Sequence, residues 1–374
     1  AGLLTRTYLN LRDVELGFDP ANVLTVEVAA GRGRYDEPEL RRQLYRTLVE
    51  RIDSLPGVET VAAVMIRPLW GRVGLDWPSQ AEGQSEKEAE LNPPLNLQVV
   101  THGFFEAMRM PLRRGRGFDD RDTAGVTPVL VVSDALARRY WPGQDPIGKR
   151  LRMPMPSPPY APAWMTVVGV TAPTRYRELH AARLDAYMSF LQAEEPLRHL
   201  VVRTAGDPMA MAPTVRAAVR SVDPDLILTD VTTMAALVDV ALGGARFAMR
   251  LLAGFALVAL LMAMLGIYGV VAFVVGRRTR EVGIRMALGA RAADVLSLVL
   301  RQGMAPVLAG LGVGLAVALA AGRLGSGLLY GVPPHDPVTL AAALLLLAAA
   351  ALLACALPAR RAARIDPAHA LRED

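Results

Sequence analysis

The sequence predicts an α+β extracytoplasmic domain joined to a transmembrane α-helical bundle, the domain itself a split βαβ lobe that carries an inserted distal lobe. Three observations lead there. The three longest apolar runs all lie beyond residue 245, while residues 1–245 are mixed and hold most of the charge. Two stretches far apart in the chain repeat a strand–helix–strand pattern with matching turns. A strongly basic segment, Arg277 to Gly303, carries six arginines against two acids and sits between the first two apolar runs.

Composition agrees with this division. A 374-residue chain that is 52 % hydrophobic and yet 21 % charged fits a polar domain joined to a membrane part better than one soluble domain. The formal net charge is +5, and every basic residue except Lys87 and Lys149 is an arginine, a usage that a GC-rich genome explains. The charge is not gathered on a face with interleaved aromatics, so no nucleic-acid partner is expected. The single cysteine, Cys355, lies in an apolar run, where it can build neither a disulfide framework nor a thiolate metal site and reads as a packing residue.

The spans run roughly Met249 to Val275 (uncharged past Arg250), Met304 to Gly322 and Val338 to Leu357. About 20 residues at ~1.5 Å each cross the hydrocarbon core, so all three qualify. Arg277, Arg278, Arg280, Arg285, Arg291 and Arg301 follow the first span, and Arg360, Arg361, Arg364 and Arg372 follow the third; the loop between the second and third holds only Arg323. The positive-inside bias therefore puts the basic segment and the tail in the cytoplasm and the amino-terminal domain outside. An outside domain needs a preceding span, and AGLLTRTYLNL reads as the tail of a helix that began upstream. Gly254, Gly266 and Gly269, and Gly310, Gly312 and Gly314, let helices approach closely, either within the chain or between copies. No acidic or basic residue lies deep in a span, which disfavours a self-contained ion-coupled transporter.

In the external domain Asn22–Ala30 reads as a strand, Asp36 as the cap of a helix to about Leu55 with Glu39 completing a capping box, and Val58–Ile66 as the next strand. The pattern returns as a strand at His199–Thr204, a helix capped by Asp207 with Pro208 first and ending near Val222, and a strand at Leu226–Val231. Two such units commonly combine as a split βαβ sandwich. Between them, residues 67–197 carry strands at Leu95–Val100, Val129–Val132 and Met165–Val170, a helix at Ser133–Tyr140, and a proline-rich loop near 153–162.

Motifs for chemistry fail on inspection. Gly143, Gly148 and Lys149 have P-loop spacing, but a helix precedes them and Arg150 takes the hydroxyl position, so a turn is the better reading. His102, His180, His199, His335 and His369 form no short ligand pair, and Ser326 lacks the GxSxG context. Asp119, Asp120 and Asp122 read as a solvated turn pairing with Arg113, Arg114 and Arg116 rather than as a cation site. No catalytic, cofactor-binding or metal-binding residue is assigned, and an external hydrolase has no site to support it.

Within the basic segment, Glu281 and Arg285 are four apart in the acid-first order that favours a helix pair. Gly283, Ala287 and Ala290 form a small-residue stripe, Ile284 and Leu288 an apolar pair, and Val282, Met286 and Gly289 a neighbouring face, with Gly289 as a natural stop. A second helix from about Ala292 feeds the second span. Such a helix, parallel to the membrane, can dock in a partner's groove or serve only as an interfacial anchor, and spacing alone leaves both open.

REVGIRMALGAR followed by DVLSLVLRQG resembles the segment after the second span of FtsX/MacB-type ABC transporter permeases. GFDPANVLTVEV, FFEAMRMPLRRGRGF, ALARRYWPGQDPIGKRL, LLYGVPPHDP and LPARRAARIDPAHALRED resemble the same family, most of all the second half of its large duplicated permeases. The resemblance implies four spans per unit, with the external domain between the first and second. It implies a tail of an upstream helix at 1–17, a porter-like βαβ lobe at 18–66 and 198–245, and an inserted distal lobe at 67–197. Membrane helices follow at 246–275, 304–323 and 338–358. A coupling segment at 276–303, an external loop at 324–337 and a cytoplasmic tail at 359–374 complete the chain.

The family's coupling helix would seat on an ABC-type ATP-binding subunit through Glu281, Gly283, Ile284, Arg285, Met286, Leu288, Gly289 and Ala290, with ATP bound by that partner. The implied setting is the cell inner membrane, multi-pass, with residues 18–245 periplasmic, a second permease copy or half, and a possible periplasmic partner or cargo. The implied function is a permease subunit coupling ATP hydrolysis to movement of the periplasmic domain. The alternative is a membrane-anchored envelope receptor or scaffold that regulates an external partner without transport.

Overall fold

A computed structural model describes residues 2–29, 33–70, 76–153, 164–193, 195–277, 292–322, 330–333 and 335–362. In chain order the elements begin with α1 (Gly2–Arg12), β1 (Val23–Ala29), α2 (Pro38–Asp53) and β2 (Val58–Val64). The middle of the chain supplies β3 (Asp76–Trp77), β4 (Gln80–Ala81), α3 (Glu86–Glu90), β5 (Leu95–Val100), α4 (Phe104–Ala107) and β6 (Leu112–Gly115). It continues with β7 (Val129–Ser133), α5 (Asp134–Tyr140), β8 (Arg150–Arg152), β9 (Met165–Thr171) and β10 (Asp185–Ser189). Then come β11 (His199–Thr204), α6 (Pro208–Val222), β12 (Ile227–Thr233), α7 (Met234–Arg277), α8 (Ala292–Gly322) and α9 (Pro337–Ala362). The chain divides into two compact units, Val14–Gly243 and Ala1–Asp13 with Gly244–Asp374.

In the unit Val14–Gly243 the strands order as β12-β1-β11-β2-β5-β10-β7-β9-β8-β4, with β3 beside β5 and β6 beside β9. The first four are mutually antiparallel and interleave the two repeats, which is the arrangement of a split βαβ sandwich. Strand alternation explains its core. Leu24, Val26 and Val28 of β1 and Leu200 and Val202 of β11 face Leu44, Leu48 and Ile52 of α2 and Val215 and Val219 of α6. The i, i+4 spacing of the α2 residues puts them on one stripe; truncating a fully buried leucine such as Leu48 costs about 2–5 kcal/mol.

The expected helix start at Asp36 is corrected. Glu37 is the N-cap, without a side-chain cap bond, because Pro38 occupies the first helical position. Asp36 instead accepts from the Gly33 N–H (3.1 Å), and Glu39 pairs with Arg42 (3.0 Å) rather than reaching back. A capping box does form elsewhere, at Ser85 and Glu88 on α3. The Asp207 cap forms as expected, accepting from the Met209 N–H at 2.9 Å.

On the opposite face of the βαβ sheet one side chain ties together the elements that cover it. Arg203 alternates away from Val202 and is 2 % exposed. Its Nε donates to the Ala107 carbonyl (2.7 Å), its Nη1 to that of Ala21 (2.8 Å) and its Nη2 to that of Asp19 (2.8 Å). One guanidinium thus binds β11, α4 and the segment that leads into β1. Nearby Gly17, at φ +78°, abuts the Pro173 carbonyl where a Cβ would not fit.

The residues between the repeats extend the same sheet. β2 meets β5 at a single pair, Val64 with Val100, and Met65 N–H donates to the Val99 carbonyl (2.9 Å). β5 and β10 run parallel, as do β7 and β9, while β10 and β7 run antiparallel. One face packs Leu95, Leu97, Leu130, Val132 and Val167 against Leu136, Ala137 and Trp141 of α5 and the turn after it. The strands expected here are present; β3, β4, β6, β8 and β10 and the short helices α3 and α4 are additional.

In the other unit, α1 and α9 meet through polar contacts. Arg6 pairs with Asp336 (2.5 Å), whose carboxylate also accepts from the Thr339 N–H (2.9 Å) and so caps α9. Asn10 Nδ2 donates to the Gly331 carbonyl (3.1 Å). Each expected span falls within one of α7, α8 and α9, which are long and apolar enough to cross a membrane. α7, with 44 residues, measures about 66 Å at ~1.5 Å per residue, against a hydrocarbon core of ~30 Å.

Arg203→Met would leave three carbonyls without donors and is expected to destabilise the unit Val14–Gly243 by about 3 kcal/mol or more. The four tryptophans, Trp70, Trp77, Trp141 and Trp164, all lie in that unit, so urea unfolding of the full chain in detergent, followed by tryptophan fluorescence, measures the loss. An unchanged midpoint would contradict the clamp.

Candidate functional site

The coupling residues expected from the sequence, Glu281, Gly283, Ile284, Arg285, Met286, Leu288, Gly289 and Ala290, lie outside the described residues. On either side of them, the Arg277 guanidinium at the end of α7 stacks over Phe273 (5.4 Å to the ring centroid), and Asp294 lies in the first turn of α8. An acid in a first turn complements the helix dipole. Arg361 near the end of α9 donates to the Tyr268 hydroxyl of α7 (3.0 Å).

Between these helices lies an apolar groove of about 630 Å³, lined on α7 by Leu260, Met264, Ile267 and Val271, on α8 by Val299, Pro306, Val307 and Leu311, and on α9 by Leu347 and Ala351. Gly266 and Gly310 line it with open space where a Cβ would stand, whereas a Cβ at Gly303 would lie 3.1 Å from the Cys355 Sγ and 3.2 Å from Val271. At Gly303, therefore, α8 has close neighbours on both α7 and α9. Cys355 is fully buried at this contact, the packing role expected of it. Groove chemistry is aliphatic throughout and offers no group for acid–base or nucleophilic work.

The external unit buries a polar network that the sequence reading passed over. Asp185 on β10 accepts from Asn96 Nδ2 of β5 (2.8 Å) and from the Thr174 hydroxyl. Arg177 Nε donates to Asn96 Oδ1 (2.8 Å) and its Nη1 to Asp76 (2.6 Å), while Gln98 joins Asn96 to the Ile66 N–H. Burial pushes the Asp185 carboxyl up to about 7, against the lowering influence of Thr174, Asn96, Arg177 and Arg183. His199 sits on β11 with its ring edge against Trp70 (5.1 Å) and its Nδ1 3.4 Å from the Met65 carbonyl. Burial and then Arg67 pull its pKa down to about 4. The signal in the sequence was the set of polar residues alternating inside apolar strands, Asn96 and Gln98 in LNLQVV and His199 and Arg203 in HLVVRT.

The weak motifs resolve into turns and ion pairs. Gly143 and Gly148 both have positive φ, and the Gly148 N–H donates to the Val167 carbonyl (2.9 Å). Arg116 grips Asp122 through two bonds (2.7 and 2.8 Å), but Arg113 pairs with Asp134 and Arg114 with Asp145, so only one of the three expected arginines serves the acidic turn. Arg121 holds Asp119 (2.7 Å) and keeps its carboxyl well below the usual range. Among the described residues no group of His, Cys, Asp and Glu could hold a metal ion.

Asp185 and His199 have opposite linkage to stability. A raised carboxyl binds its proton more tightly when folded, so its contribution is lost as pH rises from about 4 to about 7. A depressed imidazole makes the folded state more stable as pH rises from about 4 to 6.5. At about 1.4 kcal/mol per pH unit each, the two cancel over most of that window. Relative to the parent chain, Asp185→Asn should gain stability as pH rises from 4 to 7 and His199→Gln should lose it, read by fluorescence-monitored unfolding in detergent. Parallel pH profiles for all three proteins would refute the assignment.

Comparisons with known proteins agree with this anatomy. A model of the MacB-like periplasmic core domain matches residues 9–222, and one of the FtsX-like permease C-terminal region matches residues 253–367. The macrolide export ATP-binding/permease protein MacB of Hahella chejuensis is 27 % identical over 379 residues, covering 94 % of this chain and 52 % of that protein. Its counterpart in Rhodospirillum rubrum is 29 % identical, covering 98 % of this chain and 58 % of that protein. The chain thus spans about half the length of the curated relatives it matches. The periplasmic region of MacB from Actinobacillus actinomycetemcomitans aligns with 62 % of this chain and 95 % of its own, at 13 % identity and a TM-score of 0.40. With a periplasmic core over more than half its length and a permease segment over its apolar helices, the chain belongs to the MacB/FtsX-type family of ABC transporter permeases.

Proposed function

We propose that the chain is the permease part of an ABC-type export or mechanotransmission complex, in which ATP hydrolysis by a partner subunit moves the external domain. The observation that carries this reading is the order of parts on one chain, a MacB-like periplasmic core followed by an FtsX-like permease segment. The matched relatives, named ATP-binding/permease proteins, support an ABC-type ATP-binding subunit and a second permease copy or half as partners. On this reading the chain is multi-pass in the cell inner membrane, residues 18–245 are periplasmic, and ATP is bound by the partner. The porter-like lobe comprises 18–66 and 198–245, the distal lobe 67–197, and the coupling segment 276–303 carries motion into 246–275 and 304–323. Long helices suit this work because intrahelical hydrogen bonding makes them stiff, and an aliphatic groove permits sliding without an aqueous path.

Glu281→Ala combined with Met286→Ala removes one charged and one apolar contact from the proposed docking face. Loss of about 1.4 kcal/mol weakens an interface tenfold. Affinity capture of an ABC-type ATP-binding subunit from membranes that express the full chain should fall by about that factor or more. Capture of no such subunit by the parent chain would instead favour the receptor or scaffold reading.

A further inference from the structure

One ion pair in the external unit carries unmet polar atoms on every side. Arg67 is 2 % exposed, and its Nη2 donates to the Asp230 carboxylate. Among the described residues its Nε and Nη1 have no hydrogen-bond partner, and neither has the Nε2 of the buried His199 beside it. A buried guanidinium with open donors lies above its hydrogen-bonding optimum, because each orphaned group keeps its desolvation cost.

The backbone at Asp230 is also out of the ordinary. Its φ is +47°, in the left-handed region, at the point where the β1–β12 register slips between Thr25↔Thr232 and Glu27↔Thr229. Two residues, Asp230 and Val231, thus stand against Val26 alone, which is a bulge. Without it, alternation from Leu228 would send Asp230 toward the helix-covered core and Val231 away from it. With it, Leu228 and Val231 both pack on that core, and the Asp230 carboxylate is freed to meet Arg67.

Chain position makes the pair consequential. Arg67 lies three residues past the end of β2, where the chain leaves the βαβ sheet for the inserted strands. Asp230 lies four residues before Met234, where β12 becomes α7. We propose that Arg67 and Asp230 form a releasable latch between the mouth of the inserted lobe and the strand that feeds the long membrane-crossing helix. The closed state carries the open donors and the left-handed aspartate as costs, which water offsets once Arg67 opens to solvent, so release loses less than breaking a fully satisfied buried pair would. The role in coupling rests on the function proposed above; the latch itself does not.

Hydrogen–deuterium exchange on the full chain in lipid nanodiscs tests it. Asp230→Gly suits the left-handed backbone and removes the carboxylate; Arg67→Met with Asp230→Gly also removes the buried charge and guards against misfolding of the single variant. Both should raise amide exchange across residues 227–240 at least tenfold while β2 and β11 stay protected. Exchange altered less than twofold, or only at residues 65–70, would overturn the latch. The same measurement on the parent chain, with the ATP-binding subunit and ATP added, separates the two ideas. Faster exchange at 227–240 supports both, whereas an unresponsive parent alongside a responsive variant sinks coupling and leaves the latch standing.

Discussion

Three carbonyls converge on the guanidinium of Arg203, and the external unit is arranged around that convergence. A buried charge costs several kcal/mol unless its donors are met. Here they are met by three carbonyls from two places, Asp19 and Ala21 before β1 and Ala107 in α4, with the Asp19 carboxylate 3.5 Å away. The residues leading into β1, the helix α4 and the strand β11 are therefore held in one register. Arg109 adds bonds to Asp19 and Glu59 at the same corner, and Arg175 N–H reaches the Leu16 carbonyl. On this face of the sheet the short helix α4 packs on β2 and β11, and polar contacts tie it to the residues leading into β1.

The same logic runs through the inserted strands. One face of that part of the sheet is apolar and packs on α5; the other carries Asn96, Gln98, Asp185 and Tyr187 in a buried polar and aromatic layer. Such a layer specifies register, since a one-residue slip would strand each polar group in the apolar face. Burial moves Asp185 and His199 in opposite directions, so their contributions to stability oppose each other under mild acidity.

The membrane helices use a different vocabulary. Lipid supplies no hydrophobic drive between helices, so close approach depends on small residues, as at Gly303 against Cys355 and Val271. Among the described residues, polar contacts join α1 to the start of α9 through Arg6 and Asp336, and α7 to the end of α9 through Tyr268 and Arg361. The groove between α7, α8 and α9 is lined by apolar side chains.

Periodicity and charge determined much of this protein. Uncharged runs of more than 18 residues mark helices long and apolar enough to cross a membrane, and the paired strand–helix–strand pattern with Asp207 and Pro208 announces the split βαβ unit. These are local signals, because 3.6- and 2-residue repeats and caps act over a few positions. Tertiary structure alone decided what the buried polar residues do. Nothing near Arg203 in the chain names Asp19 or Ala107 as its partners, and nothing near Asp185 names Asn96 or Thr174. Asp36 failed as a cap because Pro38 shifted the helix start, and Asp230 reached Arg67 only through a bulge. Each outcome depends on which strands lie side by side, a choice made by the packing of residues up to two hundred positions apart.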